Sequence, residues 1–371
     1  MSSDSRPSSL SKLFRKKWFR WLLILIVLSV IGYFAYDKGL LFWANLQNQW
    51  AKANINFQDF GYRWFILGLI VYLVSAVSTF IRWRILLHAL HIRCSYADAI
   101  RLGFVGYVGS IFLPGSIMGD VFKAGFIVKE NPGNRVGAVS SIVVDRLVGL
   151  YSLFLLAAIV GLFNLNKILA QANPQAAELE LAYYAICLIA VVGLIAYGLF
   201  LVIPFEGKGY GARIARIRFI GPIMNKVLAA FTQYRRYPWA MVQAVLIGMA
   251  GHVGFVLSYY FASEALPGPG PTPSWQLHFV IIPFFMVFQA VPLTFGGNFG
   301  VGDLVLGVLY TFVGGMELKG ILASLLQRLI TWIVALIGLI WYIPLHRRYA
   351  ALNVQQPEAE PLNTGEASSH S

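Results

Sequence analysis

Charge is what this sequence has least of. Only 12% of its 371 residues are Asp, Glu, Lys or Arg, about half the share of ordinary water-soluble domains, and that scarcity excludes a conventional soluble fold. Cysteine is nearly missing: Cys94 and Cys187 stand in separate regions, offering neither a disulfide framework nor the spacing of a zinc site. There are no alternating segments of about ten residues, which excludes a transmembrane β-barrel. Enzyme signatures are absent too, with no His-Glu-x-x-His, no nucleophile elbow and no phosphate-binding loop. The largest hydrophilic stretch, 206–237, is far shorter than a catalytic domain. We therefore expect no enzyme and no cofactor; an intramembrane lipid-modifying enzyme would need a nucleophile beside a base, and His252 and His278 are isolated in the sequence.

Apolar residues make up 58% of the chain and gather into runs of about the 20 residues that a hydrocarbon core of about 30 Å requires. The expected fold is an all-α polytopic helical membrane protein with six full spans, at about 18–36, 61–87, 136–165, 181–203, 239–262 and 320–345. A basic tail (1–17) precedes this single transmembrane domain (18–349), and a polar, disordered tail (350–371) follows it.

Lys and Arg exceed Asp and Glu by 29 to 16, a net charge of +13. The cations cluster beside apolar runs, so membrane topology and anionic lipid explain them before nucleic acid does. Arg82, Arg84, Arg93 and Arg101 are read as the turn after the second span. With the basic connection 206–237 and with His346, Arg347 and Arg348 they fall on one side, which the positive-inside rule makes the cytoplasm. Both termini are then cytoplasmic. Trp18, Trp43, Trp239 and Trp341 suit interfacial anchors.

Two stretches resist that pattern. Residues 99–129 begin and end at a cytoplasmic cluster, and 277–318 begin and end on the outer side. Each is broken near its middle, at Leu113-Pro114-Gly115-Ser116 and at Pro292-Leu293-Thr294-Phe295-Gly296-Gly297. An acid follows each break, Asp120 or Asp303, and an arginine lies 26 or 25 residues further on, Arg146 or Arg328. This reads as a degenerate inverted repeat whose two broken-helix, re-entrant hairpins meet near the bilayer centre, the arrangement that marks transport sites. Full spans joined by tight Pro-Gly turns would give the same parity.

Charges inside a membrane need partners or a function. Asp120 and Lys123 share a helix face and can neutralise each other. Asp145 and Arg146 point about 100° apart, so each must find a partner elsewhere; Asp120 and Asp303 are candidates for Arg146, and Asp303 is the natural partner of Arg328. A guanidinium in a cavity also suits a phosphate. The glycines from Gly296 to Gly302 weaken any helix and suit backbone that lines a cavity. The bland alternatives are structural ion pairs, helix clamps and close packing, the last favoured for Gly103, Gly106 and Gly109. His252 and His278 read as hydrogen-bonded interior or interfacial side chains rather than ligands.

The segment Phe112-Leu113-Pro114-Gly115-Ser116-Ile117-Met118-Gly119-Asp120-Val121-Phe122-Lys123 resembles the Leu-Pro-x-x-x-Gly-Gly-Asp-x-x-Arg signature of the lysylphosphatidylglycerol synthase transmembrane-region family, the flippase-like integral membrane proteins. Asp145-Arg146 resembles that family's Glu-Arg pair, and Pro292 to Asp303 its Pro-x-Ser-x-Gly-Gly-x-Gly-x-x-Glu segment. The departures are Met118 for glycine, Lys123 for arginine, Asp145 and Asp303 for glutamates and Thr294 for serine. The resemblance implies a lipid-translocating module, fused in some members to an aminoacyl-transferring domain that this sequence lacks.

The expected function is therefore movement of an anionic phospholipid or polyprenyl-linked lipid between leaflets of a bacterial or archaeal cytoplasmic membrane. The residues expected along its path are Pro114, Gly115, Asp120, Lys123, Asp145, Arg146, Pro292, Thr294, Gly296, Gly297, Asp303 and Arg328. The alternative is a non-transporting scaffold or partner of an envelope-lipid synthase.

Overall fold

In the computed structural model the chain forms two compact units, 1–55 and 56–371. The structure describes residues 47–48, 50–51, 55–112, 118–171, 176–202, 232–290 and 299–355. Among the described residues the first unit holds a few helical residues around the exposed Trp50; the helices described below belong to the second. The expected first span, both Pro/Gly breaks and most of the connection 206–237 lie outside the described residues.

Every element longer than a turn among the described residues is a helix: α1 (Tyr62–Ala89), α2 (Tyr96–Phe112), α3 (Met118–Glu130), α4 (Arg135–Gln171), α5 (Ala176–Val202), α6 (Pro238–Ala265), α7 (Trp275–Ala290), α8 (Val301–Phe312) and α9 (Glu317–Gln355). Five segments are long and apolar enough to cross a membrane: Tyr62–Ala89, Pro132–Asn164, Glu180–Leu199, Pro238–Ala265 and Glu317–Tyr342. They match the second to sixth expected spans. The chain is thus a polytopic helical membrane protein. Helix α9 runs on to Gln355 and takes in the first residues of the segment read as a disordered tail.

Contacts at the helix ends fix the topology. At one face, Tyr237 before α6 meets His91 after α1, Asn134 before α4 donates to Leu90 O, and Arg101 of α2 lies over Trp341 near the end of the α9 span. At the other face, Gly61 before α1 donates to Ala265 O at the end of α6, and Lys319 at the start of α9 donates to the carbonyls of Leu266 and Gly268. The α2–α3 pair therefore leaves from and returns to the first face, and the α7–α8 pair to the second.

Each pair begins and ends at one face, the topology expected of the hairpins. Depth agrees: Asp120 is the third residue of α3 and pairs with Arg146, the twelfth of α4. Asp303 is the third of α8 and pairs with Arg328, the twelfth of α9. Twelve helical residues measure roughly 18 Å, so each acid, at the break-side end of its arm, sits about halfway across.

The order span, hairpin, span thus occurs twice with opposite polarity, as α1–α2–α3–α4 and as α6–α7–α8–α9, with α5 between. Packing repeats with it. Helices α1 and α6, both 28 residues long, pack against each other; α2 packs on α9 of the other half and α7 on α4. Apolar clusters close both ends, one around Trp83, Leu86, Leu90, Ile127 and Met241, the other around Phe154, Ile281, Phe285, Leu306 and Tyr310. Most of the buried charge lies between them.

Candidate functional site

Three ion-pair groups occupy the middle of the bundle. Asp120 sits in the first turn of α3, where the helix dipole favours an acid. Its Oδ1 takes Lys123 Nζ at 2.7 Å, and its Oδ2 takes both Nε and Nη2 of Arg146 at 2.6 Å. Asp303, in the first turn of α8, accepts Arg328 Nη2 at 2.9 Å, Ser324 Oγ at 2.6 Å and the Gly300 N–H at 2.9 Å. Gly300 has φ +82°, a left-handed conformation suited to glycine, and this bends the backbone so that its N–H meets the carboxylate. Phe299 covers the Arg328 guanidinium, with the ring centroid 5.3 Å away.

The third group is Asp145 with Arg82, a bidentate pair of 2.8 and 3.1 Å. This corrects the reading of Arg82 as part of a turn: it lies inside α1, 5% exposed. The positive-inside rule counts cations near a span end without regard to the face they occupy, so it grouped Arg82 with Arg84. Positions two apart diverge by about 200°, about 100° per residue, and Arg84 instead stacks on Tyr96 at 4.0 Å. The roughly 100° between adjacent positions sends Asp145 toward Arg82 and Arg146 toward Asp120, as expected for a pair that cannot bind each other.

A cavity of about 530 Å³ opens between these groups. Its wall includes Arg82, Lys123, Asp145, Arg146, His252, Gln289, Ser324 and Arg328, with Tyr72, Trp83, Phe255, Tyr259 and Trp332. Four cations face it, and Asp145 is the acid among its lining residues; Asp120 and Asp303 stand behind the arginines they bind. Leu150 and Trp332 on the wall are 41% and 40% exposed, and the Arg146 side chain is 52% exposed. These three place an apolar rim and a cation at the open side. Volume and lining fit a small polar ligand.

Of the path residues, then, Lys123, Asp145, Arg146 and Arg328 line one cavity, and Asp120 and Asp303 support it. Arg146 takes Asp120 rather than Asp303, so charge is compensated within each half. Pro114, Gly115, Pro292, Thr294, Gly296 and Gly297 lie outside the described residues. Sequence reasoning missed Arg82, Ser324 and Gln289. Ser324 was accessible to it, four residues before Arg328 and so on the same helix face. His252 and His278 are hydrogen-bonded in the interior, His252 Nε2 to Gly149 O at 2.9 Å and His278 to Ser274 O and Tyr310 Oη. Gly103 does serve close packing: a Cβ there would collide with the Phe80 ring.

Among known protein families, the model for the Lysylphosphatidylglycerol synthase TM region matches residues 9–338 of the chain. No curated protein and no solved structure matches it.

Proposed function

The chain belongs to the lysylphosphatidylglycerol synthase transmembrane-region family, and on that premise we propose that it moves an anionic phospholipid or polyprenyl-linked lipid between leaflets. One observation carries this reading: four cations face a cavity midway along membrane-crossing helices, while the acids that neutralise two of them sit behind. A phosphate entering there finds arginines already oriented, at a depth where an unpaired charge is costly. The exposed Leu150 and Trp332 leave the rim apolar, so alkyl tails stay in the bilayer while the head group crosses.

The face bearing Arg84, Arg93, Arg101, Lys129, Arg135, Arg235 and Arg236 is cytoplasmic on this reading. The inverted repeat supplies the motion. Rocking one half against the other exposes a fixed central site to alternate sides, and a head group that competes with Asp120 for Arg146 shifts that equilibrium through its differential contacts.

The test is exchange of a fluorescent anionic phospholipid in reconstituted vesicles. Wild type accelerates it, and the double variant Arg146→Gln, Arg328→Gln, with its folded fraction measured in parallel, slows it by about a hundredfold, as loss of charged hydrogen bonds requires. Wild-type vesicles that exchange no lipid overturn the transport reading and leave a non-transporting partner of an envelope-lipid synthase.

A further inference from the structure

The wall of the cavity formed by Arg82 of α1, Asp145 of α4 and His252 of α6 has no charged counterpart at the repeat-related place in the bundle. Arg82 is the twenty-first residue of α1, and its counterpart in α6 is Ser258; Asp145 is the eleventh of α4, and its counterpart in α9 is Gln327. The second half ties the same two helices together with a neutral hydrogen bond, Ser258 Oγ to Gln327 Oε1 at 2.8 Å. His252, the fifteenth residue of α6, corresponds to Ala76 in α1. Helix packing thus has a neutral solution at the repeat-related place, whereas here α1 and α4 use a buried ion pair with a histidine of α6 beside it, although burying charge is costly.

Two atoms here lack partners among the described residues. Arg82 and His252 are 5% and 7% exposed. Arg82 keeps Nε and Nη2 on Asp145, and its Nη1 is buried without an acceptor. His252 Nε2 must donate to the Gly149 carbonyl, so the neutral ring carries a lone pair at Nδ1, buried without a donor. Both residues line the cavity. Both also abut Gly149, where a Cβ would come within 2.8 Å of Arg82 Nη1, and Gly248 on α6 is equally bare.

We propose that this wall is a second recognition subsite that reads a hydroxyl on the phosphoryl head group. The chemistry is selective. A phosphate oxygen satisfies Arg82 Nη1 but opposes the His252 lone pair, and an ammonium does the reverse. A hydroxyl accepts from the first and donates to the second. The subsite rests on the transport reading for its ligand: phosphate lies against Arg146 and Lys123, and the polyol end of the head group reaches inward, parting the glycine-lined wall by the width of a hydroxyl.

Binding of phosphatidylglycerol and of phosphatidylpropanol to the purified full-length protein tests it, since these lipids share charge and size and differ in head-group hydroxyls. Wild type binds phosphatidylglycerol about tenfold more tightly, the effect of leaving buried polar groups unmade. His252→Gln retains a donor for Gly149 O and displaces the acceptor from the Nδ1 position. It brings the two lipids within about twofold of each other, with phosphatidylpropanol unchanged; Arg82→Lys does the same if the first variant folds poorly. Equal binding of both lipids by wild type overturns the subsite and leaves the transport reading standing, as does equal weakening of both by His252→Gln. Failure of both lipids to bind overturns both readings. Added glycerol phosphate that fails to compete keeps the ligand a lipid; effective competition keeps the hydroxyl subsite and assigns it to a soluble phosphorylated polyol.

Discussion

Arg146 and Arg328 hold equivalent places, each the twelfth residue of the span after a hairpin and each bound to the third residue of that hairpin's second arm. Yet the Arg146 side chain is 52% exposed and that of Arg328 is 8% exposed. The surroundings differ in the same sense. Asp120 is shared with the cation Lys123, whereas Asp303 is shared with the neutral Ser324 and a backbone N–H; the position matching Lys123 in α8 is the buried Leu306. The first half holds an ion pair, Arg82–Asp145, where the second holds Ser258 and Gln327. One scaffold thus serves two purposes. The second half presents a neutralised, nearly enclosed arginine to the cavity, and the first carries spare positive charge on its open wall.

The largest expected effect separates the two acids. Asp303→Asn leaves the Arg328 charge buried and poorly compensated, a loss of about 3–5 kcal/mol in stability. Asp120→Asn costs less, because the Arg146 side chain opens on the cavity mouth rather than into packed protein. Thermal unfolding in detergent measures both, and equal losses would erase the contrast. Next comes the pair found in one half alone. Asp145→Gln strands Arg82 at about 3 kcal/mol, and adding Arg82→Ser, which copies the Ser258–Gln327 link, returns stability to within about 1 kcal/mol of wild type. A double-mutant cycle reads this coupling. A double variant no more stable than the single would mean that the first half requires its ions for folding.

Smaller effects refine the picture. Gly149→Ala drives a methyl against the Arg82 guanidinium, 2.8 Å from Nη1, and costs about 1–3 kcal/mol. Its counterpart Thr331 bonds Gln327 O of its own helix and Tyr72 of α1, and Thr331→Ala costs about 1 kcal/mol. Smallest in stability is Lys123→Leu, which gives the first half the residue of the second. Folding changes by less than about 1 kcal/mol because Asp120 keeps Arg146, while lipid exchange slows. A variant that exchanges lipid at the wild-type rate would remove Lys123 from the path.

How much of this was legible in the sequence depends on how local each feature is. Spans were legible because hydrophobic length is a property of consecutive residues. The Asp303–Arg328 pair was legible too, since a hairpin arm and the span after it are close in both sequence and space. Arg146 had two acids within reach of the argument, and only the packing of α3 on α4 chooses Asp120. Arg82 escaped because its partner lies 63 residues away, and the charge rule that captured it carries no helical phase. His252 read correctly as an interior, hydrogen-bonded histidine. Which nitrogen is left over depends on where Gly149 of another helix presents its carbonyl.

The central claim is that equivalent arginines from two inverted hairpin units hold one head group between them. Mass spectrometry of lipid retained after gentle purification tests it most directly, with wild type, Arg146→Ala and Arg328→Ala compared at equal folded fraction. The account predicts an anionic lipid bound to wild type and lost from both variants. Retention of the same lipid at wild-type occupancy in both variants would contradict it.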